Sequence, residues 1–299
     1  MFWQIFLLIF SSLLWNNFAV PFYANSSQSN FLIEKREERH LPIRQSGVED
    51  IEIAAKALAV LDANNNIFLL EKSSGDKMPI ASISKLMTAL VFLDHNPGWD
   101  VVHEMARADR LDGGKIYLYL GEKVTINDLF NAMLVGSDNT AALALVNSSG
   151  LSEDDFVAKM NEYAKNFGLL NTSFSDPSGL SANNISTARE VAQLAKIALA
   201  KEEIRRVIIN DSFEFKTVDG VAKKIASTNY LLDSFSMPDV KIIGGKTGHT
   251  DLAGYCLVSA FTDNNNHNII SVVLGTDSEK ERFNQTNKLV NWIYNNFSW

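Results

Sequence analysis

Three short polar motifs stand in fixed order along the chain: Ser82-Ile83-Ser84-Lys85, Ser137-Asp138-Asn139 and Lys246-Thr247-Gly248, with 55 residues between the first two serines and 109 from Ser137 to Lys246. If they meet in space, neither gap can be a simple loop, because structureless connections beyond about 15 residues are uncommon inside a compact domain. Only a folded domain of mixed helix and strand brings them together.

Each motif alone is weak. Ser74-Gly75-Asp76-Lys77 also fits the first pattern, and Ser181-Ala182-Asn183 and Ser227-Thr228-Asn229 fit the second. Context separates them: Ser74 lies in a polar Ser-Ser-Gly-Asp turn, whereas Ser82 opens a segment running to Leu93 that is rich in Leu, Met and Ala and reads as helix. Taken singly, Ser82 is an ordinary helix cap, Lys85 a solvated side chain, Ser137 to Asn139 a helix-ending turn and Lys246 an exposed strand end. Their order as a set favours a shared site.

The chain of 299 residues, 46% hydrophobic and 21% charged, is long enough to bury a sizeable core in one or two domains. A net charge of −8 without a Lys or Arg run argues against a nucleic-acid partner. His and Cys are sparse and scattered, with no His-Glu-x-x-His, so neither a metal nor another cofactor is expected. The single Cys256 reads as a small buried residue in a strand.

Residues 1–33 carry no charged side chain, and Phe2 to Trp15 is mostly apolar, like the hydrophobic region of a secretory signal. These 14 residues fall short of the roughly 20 that span a bilayer. Residues 1–24 are therefore expected to be a signal peptide, with an N-terminal anchor as the second reading and a buried helix as the third. No basic residue precedes the apolar run, and bulky Phe22 sits three positions before a cleavage point after Ala24, which leaves cleavage open. The expected destination is the periplasm or the extracytoplasmic face of the envelope.

Residues 25–50, with the charge run Glu34 to Arg39, read as a linker, and 51–299 as the folded domain. Ala54 to Leu61 and Ile67 to Leu70 flank the turn Asp62 to Asn66, a hairpin pattern. From Ser82 to about Val146 the apolar spacing is mainly helical, with Thr125 capping a helix that leads into Ser137. Asp154 to Phe167 and Thr187 to Ala200 are further helices around the loop Ser175 to Leu180. Val240 to Gly245, Gly254 to Phe261 and Ile269 to Leu274 read as strands, with Asp263 to Asn266 as a hairpin connection, and Ser278 to Phe297 as a closing amphipathic helix. Strands near both ends with helices between predict an α/β protein of α+β type, its sheet built from both chain ends beside a helical subdomain.

The residue types suit acyl transfer. A serine hydroxyl needs a nearby base, and on a helix Lys85 shares a face with Ser82 three positions earlier. A lysine base must be neutral, which requires burial or a second cation; Lys246 is the candidate cation. A backbone N–H at a helix start is placed to stabilise an oxyanion. Gly244, Gly245 and Gly248 leave room for a substrate backbone against the third motif's strand.

The ordered trio is that of serine β-lactamases and penicillin-binding proteins. From Ala54 to Phe297 the chain resembles the serine-type D-alanyl-D-alanine carboxypeptidases, low-molecular-mass penicillin-binding proteins of β-lactamase/transpeptidase-like fold. The resemblance is carried by Pro79 to Ala89, Asp176 to Ser181 and Gly245 to Tyr255. It implies that Ser82 is acylated by the penultimate D-Ala carbonyl of a peptidoglycan stem peptide ending in D-Ala-D-Ala, that Lys85 is the base, and that Ser137 relays a proton to the leaving D-Ala. It further implies that Asn139 holds a substrate amide, that Lys246 and Thr247 meet the terminal carboxylate, that Gly248 gives the substrate room, and that the His249 backbone N–H joins that of Ser82 in the oxyanion hole. No Ser-His-Asp set is visible, so the His249 imidazole is not expected to act as base. β-Lactam antibiotics are the implied covalent inhibitors and cell-wall remodelling the implied context. With 51 residues after Gly248, any membrane association is expected at the N-terminus.

Three rivals stay open. A class A β-lactamase would use a Glu for deacylation, but Phe167 stands where the Glu before Leu170-Asn171 would fall. A non-catalytic wall-binding protein would be expected to have lost one of these residues. A D,D-endopeptidase would use the same ones.

Overall fold

The computed structural model describes residues 41–111 and 113–299. The signal or anchor read in residues 1–24, and most of the 25–50 linker, lie outside them. In chain order, β1 (Ile43–Arg44), β2 (Ala57–Asp62), β3 (Ile67–Lys72) and β4 (Met78–Pro79) precede α1 (Lys85–Leu93). Then come β5 (Val102–Glu104), β6 (Lys123–Thr125), α2 (Ile126–Val135), α3 (Asn139–Ser148), α4 (Glu153–Asn166), β7 (Ile185–Ser186) and α5 (Ala188–Ala200). They are followed by α6 (Glu202–Ile208), β8 (Ser212–Lys216), β9 (Ala222–Ala226) and α7 (Leu231–Ser234). The chain closes with β10 (Val240–Thr250), β11 (Gly254–Asp263), β12 (Asn268–Thr276), α8 (Glu279–Asn296) and β13 (Phe297–Ser298).

The main sheet is antiparallel in the order β10-β11-β12-β2-β3 and draws on both chain ends. Its central strands are covered on both faces, and the two-residue period decides which side chain goes where. Ala57, Ala59 and Leu61 of β2, Cys256, Val258 and Ala260 of β11, and Ile270, Val272 and Leu274 of β12 join the core of the helical subdomain. The alternate residues Leu58, Val60, Leu257, Phe261, Ile269 and Val273 pack with Leu289, Val290 and Ile293 of α8. That is why these strands read as continuous apolar runs instead of alternating ones.

Several boundaries differ from the sequence reading. Ile43–Arg44 pairs with Phe297–Ser298, and the Arg44 guanidinium lies over the Trp292 ring, so pairing starts inside the stretch read as linker. The run read as mainly helical from Ser82 to Val146 contains the pair β5–β6 between α1 and α2; its exposed Val102 and short Val124 segment carry too little periodicity to show it. Residues 201–239, given no structure from sequence, form a short helix, a hairpin and a helical turn. The Thr125 cap is present: its hydroxyl accepts from Asp128 N–H at 3.1 Å, and the Asp128 carboxylate accepts from Thr125 N–H at 2.9 Å, a reciprocal box that fixes the start of α2.

Candidate active site

The first motif sits where the chain turns from β4 into α1. Ala81 to Ser84 form one 3-10 turn that runs directly into α1 at Lys85, so Ser82 precedes the α-helix by a turn instead of opening it. Ala81 adopts φ +48°, a left-handed conformation that a non-glycine residue holds only when its surroundings enforce it. The enforcing partner is the loop 176–181. A Cβ on Gly179 would lie 2.2 Å from the Ala81 carbonyl oxygen and 2.8 Å from the Ser82 nitrogen, so only glycine lets the loop press on the backbone of the nucleophile.

Asp176 organises that loop from within. Its Oδ1 accepts from Ser178 N–H and Oγ–H and from Gly179 N–H at 2.6–2.7 Å, and its Oδ2 accepts from Ser181 N–H at 2.8 Å. The ring of donors turns the Ser178 carbonyl towards α1. Thr88 donates to the Pro177 carbonyl at 2.6 Å, and Asn184 donates to the Asp176 carbonyl and to Ser84 Oγ, tying loop to helix.

Lys85 is fully buried, and its Nζ lies 3.0 Å from Ser82 Oγ, 2.6 Å from Asn139 Oδ1 and 2.6 Å from the Ser178 carbonyl. Two of those partners are carbonyl oxygens, which only accept. A neutral amine therefore gives its two hydrogens to Asn139 and Ser178 and turns its lone pair to the Ser82 hydroxyl. Burial lowers the Lys85 amine to about 7, against the opposing pull of the Asp138 and Asp176 carboxylates. Burial is the main depressing cause.

Ser137 follows α2 with φ +58°, and α3 starts behind it, capped by Asp138 through Ala141 N–H at 3.0 Å. The buried Lys246 Nζ donates to Ser137 Oγ at 2.7 Å and to the Thr247 carbonyl at 3.0 Å. With its oxygen held as acceptor, Ser137 keeps its own proton for another partner. Burial lowers the Lys246 amine well below the usual lysine range, helped by the charges of Lys85 and Arg282. Asn139 uses both ends of its amide: Oδ1 accepts from Lys85, and Nδ2 donates to the Gly113 carbonyl at 3.0 Å. The second N–H of this Nδ2 is left for a substrate amide carbonyl.

β10 is an edge strand of the main sheet, and it extends through Thr250, paired to Gly254. Lys246, Thr247 and Gly248 thus lie within it, not at its end. Gly248 is required by close packing: a Cβ there would stand 2.7 Å from the Ile80 carbonyl, just ahead of the nucleophile. The exposed His249 ring stacks on Tyr255, centroids 3.9 Å apart.

All eight residues singled out from the sequence are thus on the same group of elements: the 3-10 turn with the start of α1, the α2–α3 junction and β10. A hydrogen-bonded Ser-His-Asp chain does exist elsewhere. Ser148 Oγ lies 2.9 Å from His103 Nδ1, and His103 Nε2 lies 2.8 Å from Asp109 Oδ2. Ser148 also donates to the Ala144 carbonyl at 2.7 Å, and the set clamps α3 to the β5 region. Sequence reading missed Asp176, Gly179 and Arg282 as site residues. The Asp-Pro-Ser-Gly turn was a signal for the first two. Arg282, on α8, is buried at 3% exposure and reaches the Gly248 carbonyl with Nη1 at 3.3 Å; a charge in an amphipathic helix gives no such signal.

A profile of the D-alanyl-D-alanine carboxypeptidases matches residues 44–278. The D-alanyl-D-alanine carboxypeptidase DacF of Bacillus subtilis is 31% identical over 264 residues, which are 85% of this chain and 66% of the relative. A D-alanyl-D-alanine endopeptidase of Haemophilus influenzae is 37% identical over 206 residues, 68% of this chain and 69% of the relative. Among solved structures, penicillin-binding protein D2 of Listeria monocytogenes in its cefotaxime-bound form is similar with a TM-score of 0.71 and 32% identity, covering 83% of this chain and 100% of the other. The chain spans just under two thirds of the length of the DacF relative.

Proposed function

The chain belongs to the D-alanyl-D-alanine carboxypeptidase family and has the α+β fold of penicillin-binding proteins, and from that membership we propose that it removes the terminal D-Ala from peptidoglycan stem peptides through an acyl-enzyme on Ser82. The observation that carries the proposal is the Lys85 amine, buried and 3.0 Å from Ser82 Oγ. In this reading Ser82 Oγ attacks the penultimate D-Ala carbonyl while its proton passes to Lys85. The oxyanion is met by the backbone N–H groups of Ser82 and His249. Ser137 relays a proton to the departing D-Ala amine, giving up its own while taking one from the Lys246 ammonium that donates to its Oγ. Thr247 and Lys246 receive the terminal carboxylate and Asn139 the donor's amide, while Gly248 serves by letting the strand pack against the Ile80 carbonyl beside the nucleophile instead of by leaving room for the peptide. Water then releases the acyl group, and no cofactor is needed for any step.

β-Lactams would acylate the same serine, as the cefotaxime-bound form of the Listeria relative suggests. Such a substrate places the enzyme in the periplasm or on the outer side of the cytoplasmic membrane, delivered by residues 1–24 as signal or anchor, with 25–50 as linker and 51–299 as the catalytic domain. Among the described residues no helix is long and apolar enough to cross a membrane. The Haemophilus relative's name supports a second reading, cleavage of D-Ala cross-links by the same residues. Assay of D-Ala release from a pentapeptide beside cleavage of a cross-linked dimer tests the choice. Release from the pentapeptide is expected; cleavage of the dimer alone would make the endopeptidase reading the right one.

A further inference from the structure

Ser227-Thr228-Asn229 matches the second motif's pattern yet lies apart from the Ser137 junction in sequence. The fold brings it to the third motif. Thr228 Oγ1 is 2.6 Å from Thr247 Oγ1, and the Thr228 backbone N–H donates to the carbonyl of Val135 at 3.2 Å, two residues before Ser137. Flanking bonds from Ser227 N–H to the Asp211 carbonyl and from Leu232 N–H to the Asn229 carbonyl hold the segment. Thr247 is buried at 3% exposure, whereas Thr228 is half-buried.

We propose that Thr228 is a positioning residue that sets the Thr247 hydroxyl for the substrate's terminal carboxylate. This rests on the function proposed above. A hydroxyl has one proton and two lone pairs. If Thr247 donates to Thr228, it has nothing left to give an anion. If Thr228 donates to Thr247, the Thr247 proton is free for the carboxylate, and the acceptor bond polarises it into a better donor. An arriving carboxylate selects the second arrangement, and the 2.6 Å contact holds Thr247 in one rotamer while it does so. The Val135 tie makes the position of this hydroxyl depend on the same helix end that presents Ser137.

The test uses Thr228→Val, Thr228→Ser, Thr247→Val and the Thr228→Val/Thr247→Val pair. kcat and KM are measured on a D-Ala-D-Ala peptide with a free carboxylate and on its C-terminal amide. Thr228→Val is expected to lower kcat/KM on the free acid about 3- to 10-fold, the worth of one hydrogen bond. The amide should change less than about twofold, Thr228→Ser should restore the rate, and Thr228→Val should add nothing in the Thr247→Val background. Equal loss on both peptides, or additive loss in the double variant, overturns the proposal. If Thr247→Val discriminates between the peptides and Thr228→Val does not, the proposal alone falls. If Thr247→Val is itself blind to the carboxylate, the reading of the site falls and the proposal with it.

Discussion

Gly179 lies so close to Ala81 that a Cβ on it would reach 2.2 Å from the Ala81 carbonyl oxygen. The contact couples the Asp176 loop to the nucleophile, since Ala81 is the residue before Ser82 and already stands at φ +48°. Gly179 itself has φ +85°, so alanine there is strained twice, by its own conformation and by the clash. Gly179→Ala should shift the Ser82 backbone by enough to lower penicillin acylation by about 100-fold, the effect of a displacement near 1 Å in a reacting group. Stopped-flow acylation beside a thermal melt measures it. Acylation at the wild-type rate in a folded variant would show that the loop does not set the nucleophile.

Lys85→Arg keeps the charge and removes the readily neutralised amine. Acylation should fall by about 10² to 10⁴, the range of general-base catalysis. An unaltered rate would take Lys85 out of the proton path.

The buried Lys85 amine, lowered to about 7, sets the sign of the pH dependence. The neutral form is the base, so the acylation rate should rise as pH increases through about 7 and fall below it. Stability follows the same sign. Between about 7 and the ordinary lysine value of 10.5 the unfolded chain carries a proton on this residue that the folded one lacks. Lys85 therefore adds stability as pH rises across that window and contributes no slope below it. The check is acylation followed from pH 5 to 9, with urea unfolding of wild type and Lys85→Met over pH 7 to 10. A flat rate profile, or an identical stability slope in both proteins, contradicts the assignment.

Much of this was legible in the sequence and some was not, for identifiable reasons. The motif order, the hairpin at Asp62 to Asn66 and the strands after Val240 rest on period and turn residues, which are local. The i+3 relation of Ser82 and Lys85 survives the exchange of an α-turn for a 3-10 turn, because both place the side chains on one side. The Gly179 contact joins residues 98 positions from Ala81, and Arg282 reaches Gly248 from another element; neither leaves a local trace. The mutual repulsion of the lysines was legible, but burial, a tertiary quantity, proved the main cause of the Lys85 shift.

The penicilloyl adduct should persist for minutes or longer. Phe167 stands in the sequence where a deacylating Glu would fall, and the Glu190 carboxylate at the following turn is engaged by Asn171 N–H at 2.9 Å and Thr172 Oγ–H at 2.6 Å. Decay of labelled protein after removal of excess penicillin follows it. Turnover many times per second would favour a β-lactamase.

The most direct measurement is intact mass after incubation with benzylpenicillin, for wild type and Ser82→Ala, with peptide mapping of the adduct. A single penicilloyl group on the peptide containing Ser82, absent from the folded Ser82→Ala protein, is the predicted result. A folded wild-type protein without an adduct, or an adduct that survives in Ser82→Ala, would contradict acyl transfer at this serine.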